Sequence, residues 1–157
     1  FGEAVWDAFF EAGKDLDVRA GCPNLIERIE SGLFSYGSDI TIENTPMEAG
    51  LTKYFILDHD TGCLGHQALL EKREPVRQNR AIEIEGPAVP TLEYYWPLTN
   101  QAGRPAGRIS SATWSPDFQT NVAIGMVQRE SWVPGTVLEA ETPDGTLTAK
   151  VREKFWI

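Results

Sequence analysis

Four polar side chains gather along one side of a short helix-like stretch: Asn24, Glu27, Arg28 and Ser31. Spacings of three and four residues put them on a common face. A helix start presents unsatisfied N–H groups and a partial positive charge. An amide and a guanidinium beside it suit the carbonyl or carboxylate groups of a ligand. A solvated helix shows the same face, so the pattern leaves both readings open. A second group is aromatic: Tyr36, Tyr94, Tyr95, Trp96 and Trp114 stand in loop- or turn-like contexts. Aromatic faces attract soft organic cations by about 1–2 kcal/mol when water is excluded. They equally fill a barrel core or a domain interface.

Other chemistries are poorly supported. His59-x3-Cys63-x2-His66 has loosely metal-like spacing. A closed zinc site needs four ligands, and the fourth would have to be Asp58 or Asp60. The plainer reading of HDTGCLG is a polar turn leading into a helix, and no metal is expected. Gly62 and Gly65 precede that helix without the lysine or third glycine of a nucleotide fingerprint. The chain has two histidines, His59 and His66, and its paired serines, Ser110 and Ser111, lie in a strand-like segment, so a Ser-His-Asp relay is not indicated.

Two kinds of element must position these groups. Glu3 to Ala12 is amphipathic at helical spacing, with Gly13 as its stop and Lys14 at its negative end. A second helix is expected from Pro23 to Ser31, with Asn24 able to cap and Leu25, Ile26, Ile29 and Leu33 as its apolar stripe; Gly32 ends it. TKYFIL, 52–57, reads as a strand. Leu64 to Glu74 reads as a third helix with Leu64, Ala68 and Leu69 facing inward, closed by Pro75. After Val76 the texture changes. RAIEIEG alternates, putting Ile82 and Ile84 on one face, and NVAIGMV is a continuous apolar run of the kind buried on both faces. TVLEAETP and TLTAKV flank Asp144-Gly145, which predicts a type I′ hairpin with Leu138 and Ala140 facing Leu147, Ala149 and Val151. Short strands with turn signals and no helix point to a small antiparallel barrel or jelly roll. The expected fold is therefore α+β, with 1–75 an α+β piece and 76–157 a β domain.

The 157 residues suffice for one sizeable core or two small ones, and 41% are hydrophobic. A net charge of −9 repels phosphate backbones, so nucleic acid is not an expected partner. No apolar run reaches membrane-spanning length, no membrane role is expected, and two cysteines give no disulfide framework. A cytoplasmic location is the expectation.

The string AGCPNLIERIESGLFSYGSDITIENTPMEAGL, 20–51, resembles the folate-dependent transferases of the glycine-cleavage T-protein (aminomethyltransferase) family. The shared pattern is R-x-E-x-G, Y-G-x-D and P-x-E-x-x-L, carried here by Arg28, Glu30, Gly32, Tyr36, Gly37, Asp39, Pro46, Glu48 and Leu51. The fuller string looks most like the branch of that family that demethylates dimethylsulfoniopropionate. GRISSATWSP resembles the family's G-x-V-T-S-G-x-x-S-P turn, with Ala112 in place of a glycine, and the closing VREKFW resembles the same branch. One departure stands out. The aminomethyltransferases usually carry Arg-Asp where Asn24-Leu25 stand, and that arginine is a folate contact in the family.

The resemblance implies the C-terminal piece of a folate-binding α+β domain followed by a distorted jelly roll, in a chain that continues a longer N-terminal portion. It implies methyl transfer to tetrahydrofolate, leaving methylmercaptopropionate and 5-methyltetrahydrofolate, with no metal. Asn24, Arg28 and Tyr36 become the candidate folate-binding residues. The catalytic centre is expected upstream of Phe1, so no catalytic residue is assigned within the chain and the fragment alone is expected to be inactive. Another folate-dependent aminomethyltransferase or demethylase of the family, or a non-catalytic binding module of the same fold, are the alternatives.

Overall fold

The computed structural model describes residues 1–18, 24–55, 57–59, 62–90 and 92–157. Helices come first: α1 (Gly2–Gly13), α2 (Leu25–Glu30) and α3 (His66–Glu71), with short 3-10 turns at Lys14–Leu16 and Thr52–Tyr54. Six strands follow: β1 (Arg77–Ile84), β2 (Trp96–Asn100), β3 (Pro105–Ser115), β4 (Thr120–Gln128), β5 (Val137–Thr142) and β6 (Gly145–Val151). They close into an antiparallel barrel in the order β1-β4-β3-β2-β5-β6. Closure removes the exposed edges that an open sheet would leave.

Alternation decides which side chains fill the barrel. Ile82 and Ile84 of β1 point inward, as RAIEIEG requires, and pack with Leu98, Ile109, Ala123, Val127, Leu138 and Val151. Strand β4 is buried on both faces, as expected of NVAIGMV. Its Val122 and Ile124 face outward but lie under Ile29 of α2, with Phe34, Phe155 and Trp156 around them. The helical piece is thereby docked on the outside of the barrel at β3 and β4. Two glycines permit close approaches there. Gly32 takes φ +69° at the end of α2, where a Cβ would sit 2.4 Å from the Phe155 ring. Gly107 in β3 takes φ +150°, and a Cβ there would meet the Met126 carbonyl oxygen at 2.2 Å.

A second tie runs from the loop to β1. Glu48 accepts from the Thr45 N–H at 2.9 Å and Arg77 Nε at 2.8 Å, while its carbonyl takes the Asn79 N–H at 2.7 Å. Burial pushes the Glu48 carboxyl up, but the Thr45 N–H and the Arg77 guanidinium outweigh it and hold it below its ordinary value.

Several local expectations are corrected. Thr52–Tyr54 is a 3-10 turn followed by extended Phe55, not a strand; no ladder partner is offered among the described residues, and Ile56 lies outside them. Helix α3 covers only His66–Glu71, and Leu64, expected inward, is fully exposed. α1 ends at Gly13, as expected, but Gly13 is its last residue at φ −100° and not a left-handed cap; the chain runs on as a 3-10 turn, and Asp17 takes the left-handed conformation at φ 53°. Of the α2 stripe, Ile29 is buried while Leu25 and Leu33 are exposed. The readings of Pro23 as a first-turn residue and of Cys22 fall outside the described residues.

The last hairpin pairs Leu138 with Ala149 and Ala140 with Leu147, as expected, whereas Val151 pairs with Ile82 of β1. Its turn is centred on Pro143-Asp144, because Thr142 pairs with Gly145. Proline cannot take the positive φ of a type I′ turn. Pro at the second position and Gly at the fourth, here at φ 120°, suit a type I turn instead.

Candidate functional site

The site is organised by a short helix, a turn and a bulged strand. Asn24 caps α2, its side-chain oxygen accepting the Glu27 N–H at 2.9 Å, and the Ser31 hydroxyl closes the other end on the Glu27 carbonyl at 2.6 Å. The chain then folds into the turn 35–40, where the Asp39 N–H returns to the Ser35 carbonyl at 3.0 Å. Asp39 Oδ2 in turn accepts the Ser35 N–H at 2.8 Å, which fixes the carboxylate against its own backbone.

Arg28 enters that turn from the helix. Its NH1 donates to the Leu33 carbonyl at 3.0 Å and to Asp39 Oδ2 at 2.7 Å, and its NH2 donates to Ser111 Oγ at 2.7 Å. The second carboxylate oxygen, Asp39 Oδ1, accepts both the Ser110 and Ser111 hydroxyls, at 2.6 and 2.7 Å. Consecutive residues of a regular strand point to opposite faces, so two neighbouring serines do not ordinarily meet one acceptor. The β3–β4 register shifts between Ile109 and Ser111, and this bulge turns both hydroxyls to the same side. Asp39 is wholly enclosed, and the Arg28 side chain keeps 20% of its surface exposed.

Arg28 carries five N–H donors, of which three are used here, so two remain. Arg28 borders a cleft of about 400 Å³ together with Ser110, Ser111 and Ala112. Leu25 and the Gly37-Ser38 backbone line one part of it and Leu92 to Tyr95 another. Tyr95 latches these parts together: its hydroxyl donates to the Ser38 carbonyl at 3.1 Å, and the Arg108 guanidinium lies 4.1 Å from its ring centre. The cleft can therefore orient a flat ligand that carries a carbonyl or carboxylate. The serine hydroxyls are committed to Asp39. Among the described lining residues the one carboxylate is Glu93, which is exposed.

The three sequence-predicted residues separate. Arg28 lines the cleft. Asn24 spends its side-chain oxygen on the helix cap and stands outside the lining. Tyr36 is 72% exposed and also outside it, although its neighbours Gly37 and Ser38 are in the wall. Asn24→Ala is accordingly expected to cost about 1 kcal/mol of stability, read by thermal or denaturant unfolding, while leaving ligand affinity at the cleft unchanged. A fall in affinity at unchanged stability would return Asn24 to the binding surface. Sequence reasoning named Tyr95 only as a possible cation-holding ring and set Ser110 and Ser111 aside as strand residues, so it did not foresee their meeting at this cleft. The Ser-Ser pair before ATWSP was a visible signal, but the bulge that makes it useful was not. His59, Cys63 and His66 form no metal-holding cluster among the described residues, and Asp60 lies outside them.

Residues 68–156 match the model of the glycine cleavage T-protein C-terminal barrel domain. The chain is 53% identical over 157 residues to the dimethylsulfoniopropionate demethylase DmdA of Ruegeria pomeroyi, covering 99% of this chain and 42% of that protein. It is 32% identical to an aminomethyltransferase of Synechocystis sp., covering 99% of this chain and 41% of that one. The glycine cleavage system aminomethyltransferase T of Bartonella henselae superposes with a TM-score of 0.75 at 25% identity, over 85% of this chain and 37% of that one. The chain thus spans about two-fifths of the length of the curated relatives it matches.

Proposed function

Since the chain belongs to the glycine cleavage T-protein family through its C-terminal barrel domain, we propose that it forms the C-terminal part of a tetrahydrofolate-dependent methyltransferase that demethylates dimethylsulfoniopropionate. The observation that carries this reading is the identity to the demethylase, which runs along nearly the whole chain and well exceeds that to the aminomethyltransferase. Asn24, where aminomethyltransferases usually carry arginine, points the same way. The same reading puts the enzyme in the cytoplasm.

The cleft fits a folate. Two unspent Arg28 donors suit a pterin carbonyl or a glutamate carboxylate, and Tyr94 and Tyr95 offer ring faces to a flat heterocycle. When bound, tetrahydrofolate supplies the N5 lone pair that takes the methyl carbon as the C–S bond breaks, the bonding pair staying on the thioether sulfur and the N5 proton passing to solvent. The residues of this chain serve binding and orientation. Asp39 holds the Arg28 guanidinium in one place, so its free donors meet the ligand without reorganisation. Leu25, Leu92 and Ala112 give the cleft an apolar lining. Alignment of this kind supplies roughly 7–11 kcal/mol in well-oriented reactions. The displacement calls for no metal and no covalent enzyme intermediate.

The intact protein that carries this chain, incubated with dimethylsulfoniopropionate and tetrahydrofolate, is expected to form methylmercaptopropionate and 5-methyltetrahydrofolate in equal amounts, measured by mass spectrometry. Absence of both products from a folded protein that accepts an aminomethyl or methylamine donor instead would replace the sulfonium reading with the aminomethyltransferase one.

A further inference from the structure

Helix α1 stands apart from the core. Of its twelve residues only Gly13 is buried, with the Val18 side chain lying close against it. Val5 and Phe9 fall one turn apart on one face, and beside them the Trp6 and Phe10 rings lie 4.7 Å apart, centre to centre. Val5, Trp6 and Phe9 nevertheless keep 63%, 55% and 71% of their surface exposed. Glu3, Asp7 and Glu11 form an acidic line on the opposite face. A helix of this length is marginal in water: nucleation is costly, no side chain caps its start, and its stability has to come from burying the apolar face. Among the described residues nothing covers that face.

We propose that the apolar face of α1 is the surface on which the N-terminal portion of the intact protein docks. This rests on the reading of the chain as the C-terminal part of a longer protein, though not on the reaction assigned to it. Two observations choose the occupant. The barrel-domain match begins at residue 68, so α1 lies outside the barrel unit, yet the likeness to the demethylase runs over 99% of this chain and takes in α1. The matched stretch covers 42% of that relative, so the polypeptide needed to cover α1 belongs to the same molecule and is present at high effective concentration. Charge disfavours the other occupants. Helices that lie on anionic membranes carry lysine and arginine on the polar face, where this one carries Glu3, Asp7 and Glu11. A second copy would set two such acidic helices side by side in a chain of net charge −9. The partner surface is accordingly an apolar groove that takes Trp6 and Phe9 and leaves the acidic line to solvent.

The test uses the intact protein that carries this chain. Phe9→p-benzoylphenylalanine, irradiated, is expected to cross-link to peptides of the N-terminal portion, identified by mass spectrometry. In an equal mixture of isotope-labelled and unlabelled protein, no cross-linked pair combines the two. Backbone amides of Val5 to Gly13 exchange with deuterium on the order of a hundredfold more slowly in the intact protein than in a peptide of residues 1–16. Phe9→Glu removes most of that protection, and Val5→Ala, a milder change that keeps the fold, removes part of it. Asp7→Asn on the acidic line leaves it unchanged. Cross-links to the barrel strands alone or between differently labelled molecules, exchange as fast as in the peptide, or full protection in both Phe9→Glu and Val5→Ala would each overturn the proposal. None of these readouts needs turnover. A failure to demethylate dimethylsulfoniopropionate therefore leaves the docking surface standing, and an unprotected α1 refutes it even in an active enzyme.

Discussion

Asp39→Ala is expected to lower stability by about 3–5 kcal/mol, the usual cost of removing one partner from a buried, hydrogen-bonded ion pair. Four donors converge on this enclosed carboxylate: the Ser35 N–H, Arg28 NH1, and the Ser110 and Ser111 hydroxyls. Ser110 can fall back on the Ile124 carbonyl at 3.2 Å, but Arg28 and Ser111 have no comparable refuge for their Asp39 contacts. The loss corresponds to a fall in Tm on the order of 10 °C for a chain of this size. Asp39→Asn is expected to recover only part of the loss, because the Ser110 and Ser111 hydroxyls can turn to accept from its NH2 group but a neutral amide leaves the Arg28 guanidinium without its counter-charge. The double variant Arg28→Ala/Asp39→Ala should be less destabilised than the two single losses added together. A Tm for Asp39→Ala within about 2 °C of the parent would show that this network does not hold the helical piece to the barrel.

The barrel was legible because its signals are local. Period-two alternation at Ile82 and Ile84, the apolar run of β4 and the turn dipeptides each depend on a few neighbouring residues, and sheet closure buries the apolar inner face they mark. The stretch TKYFIL misled for the opposite reason. Strand propensity expresses itself only against a partner strand, and none of the described residues offers one there. The hairpin turn was misplaced by one residue because the favoured Asp-Gly pair was read without weighing the fixed φ of Pro143 beside it.

At the site, the motif residues Arg28 and Asp39 were visible, and a brace between them was within reach of helix geometry. Their partners Ser110 and Ser111 lie 71 and 72 residues beyond Asp39, and only a bulge brings both hydroxyls to it. Bulges carry no dependable local signal in a single sequence. Tyr36 illustrates the converse: its place in a motif reflects the turn it starts, whereas the ring that reaches the cleft belongs to Tyr95.

Arg28→Lys separates the two tasks that this arginine performs. As a brace it must neutralise buried Asp39; as a ligand contact it must present donors that the brace leaves unused. A lysine ammonium can keep the charge beside Asp39 but is a single point with three donors. It cannot span the Leu33 carbonyl, Asp39 and Ser111 while still facing the cleft. Stability should therefore fall less in Arg28→Lys than in Arg28→Ala, where the Asp39 charge is left without a cation. Folate affinity in the intact protein should fall about tenfold in Arg28→Lys, the equivalent of one well-placed charged hydrogen bond at about 1.4 kcal/mol. The paired measurement is Tm by calorimetry and the tetrahydrofolate dissociation constant by titration on the same preparation. If affinity is unchanged in Arg28→Lys, the guanidinium serves the fold alone and folate recognition must come from other walls of the cleft. If affinity falls while most of the stability is kept, the two donors that Asp39, Leu33 and Ser111 leave free are the ones that read the ligand.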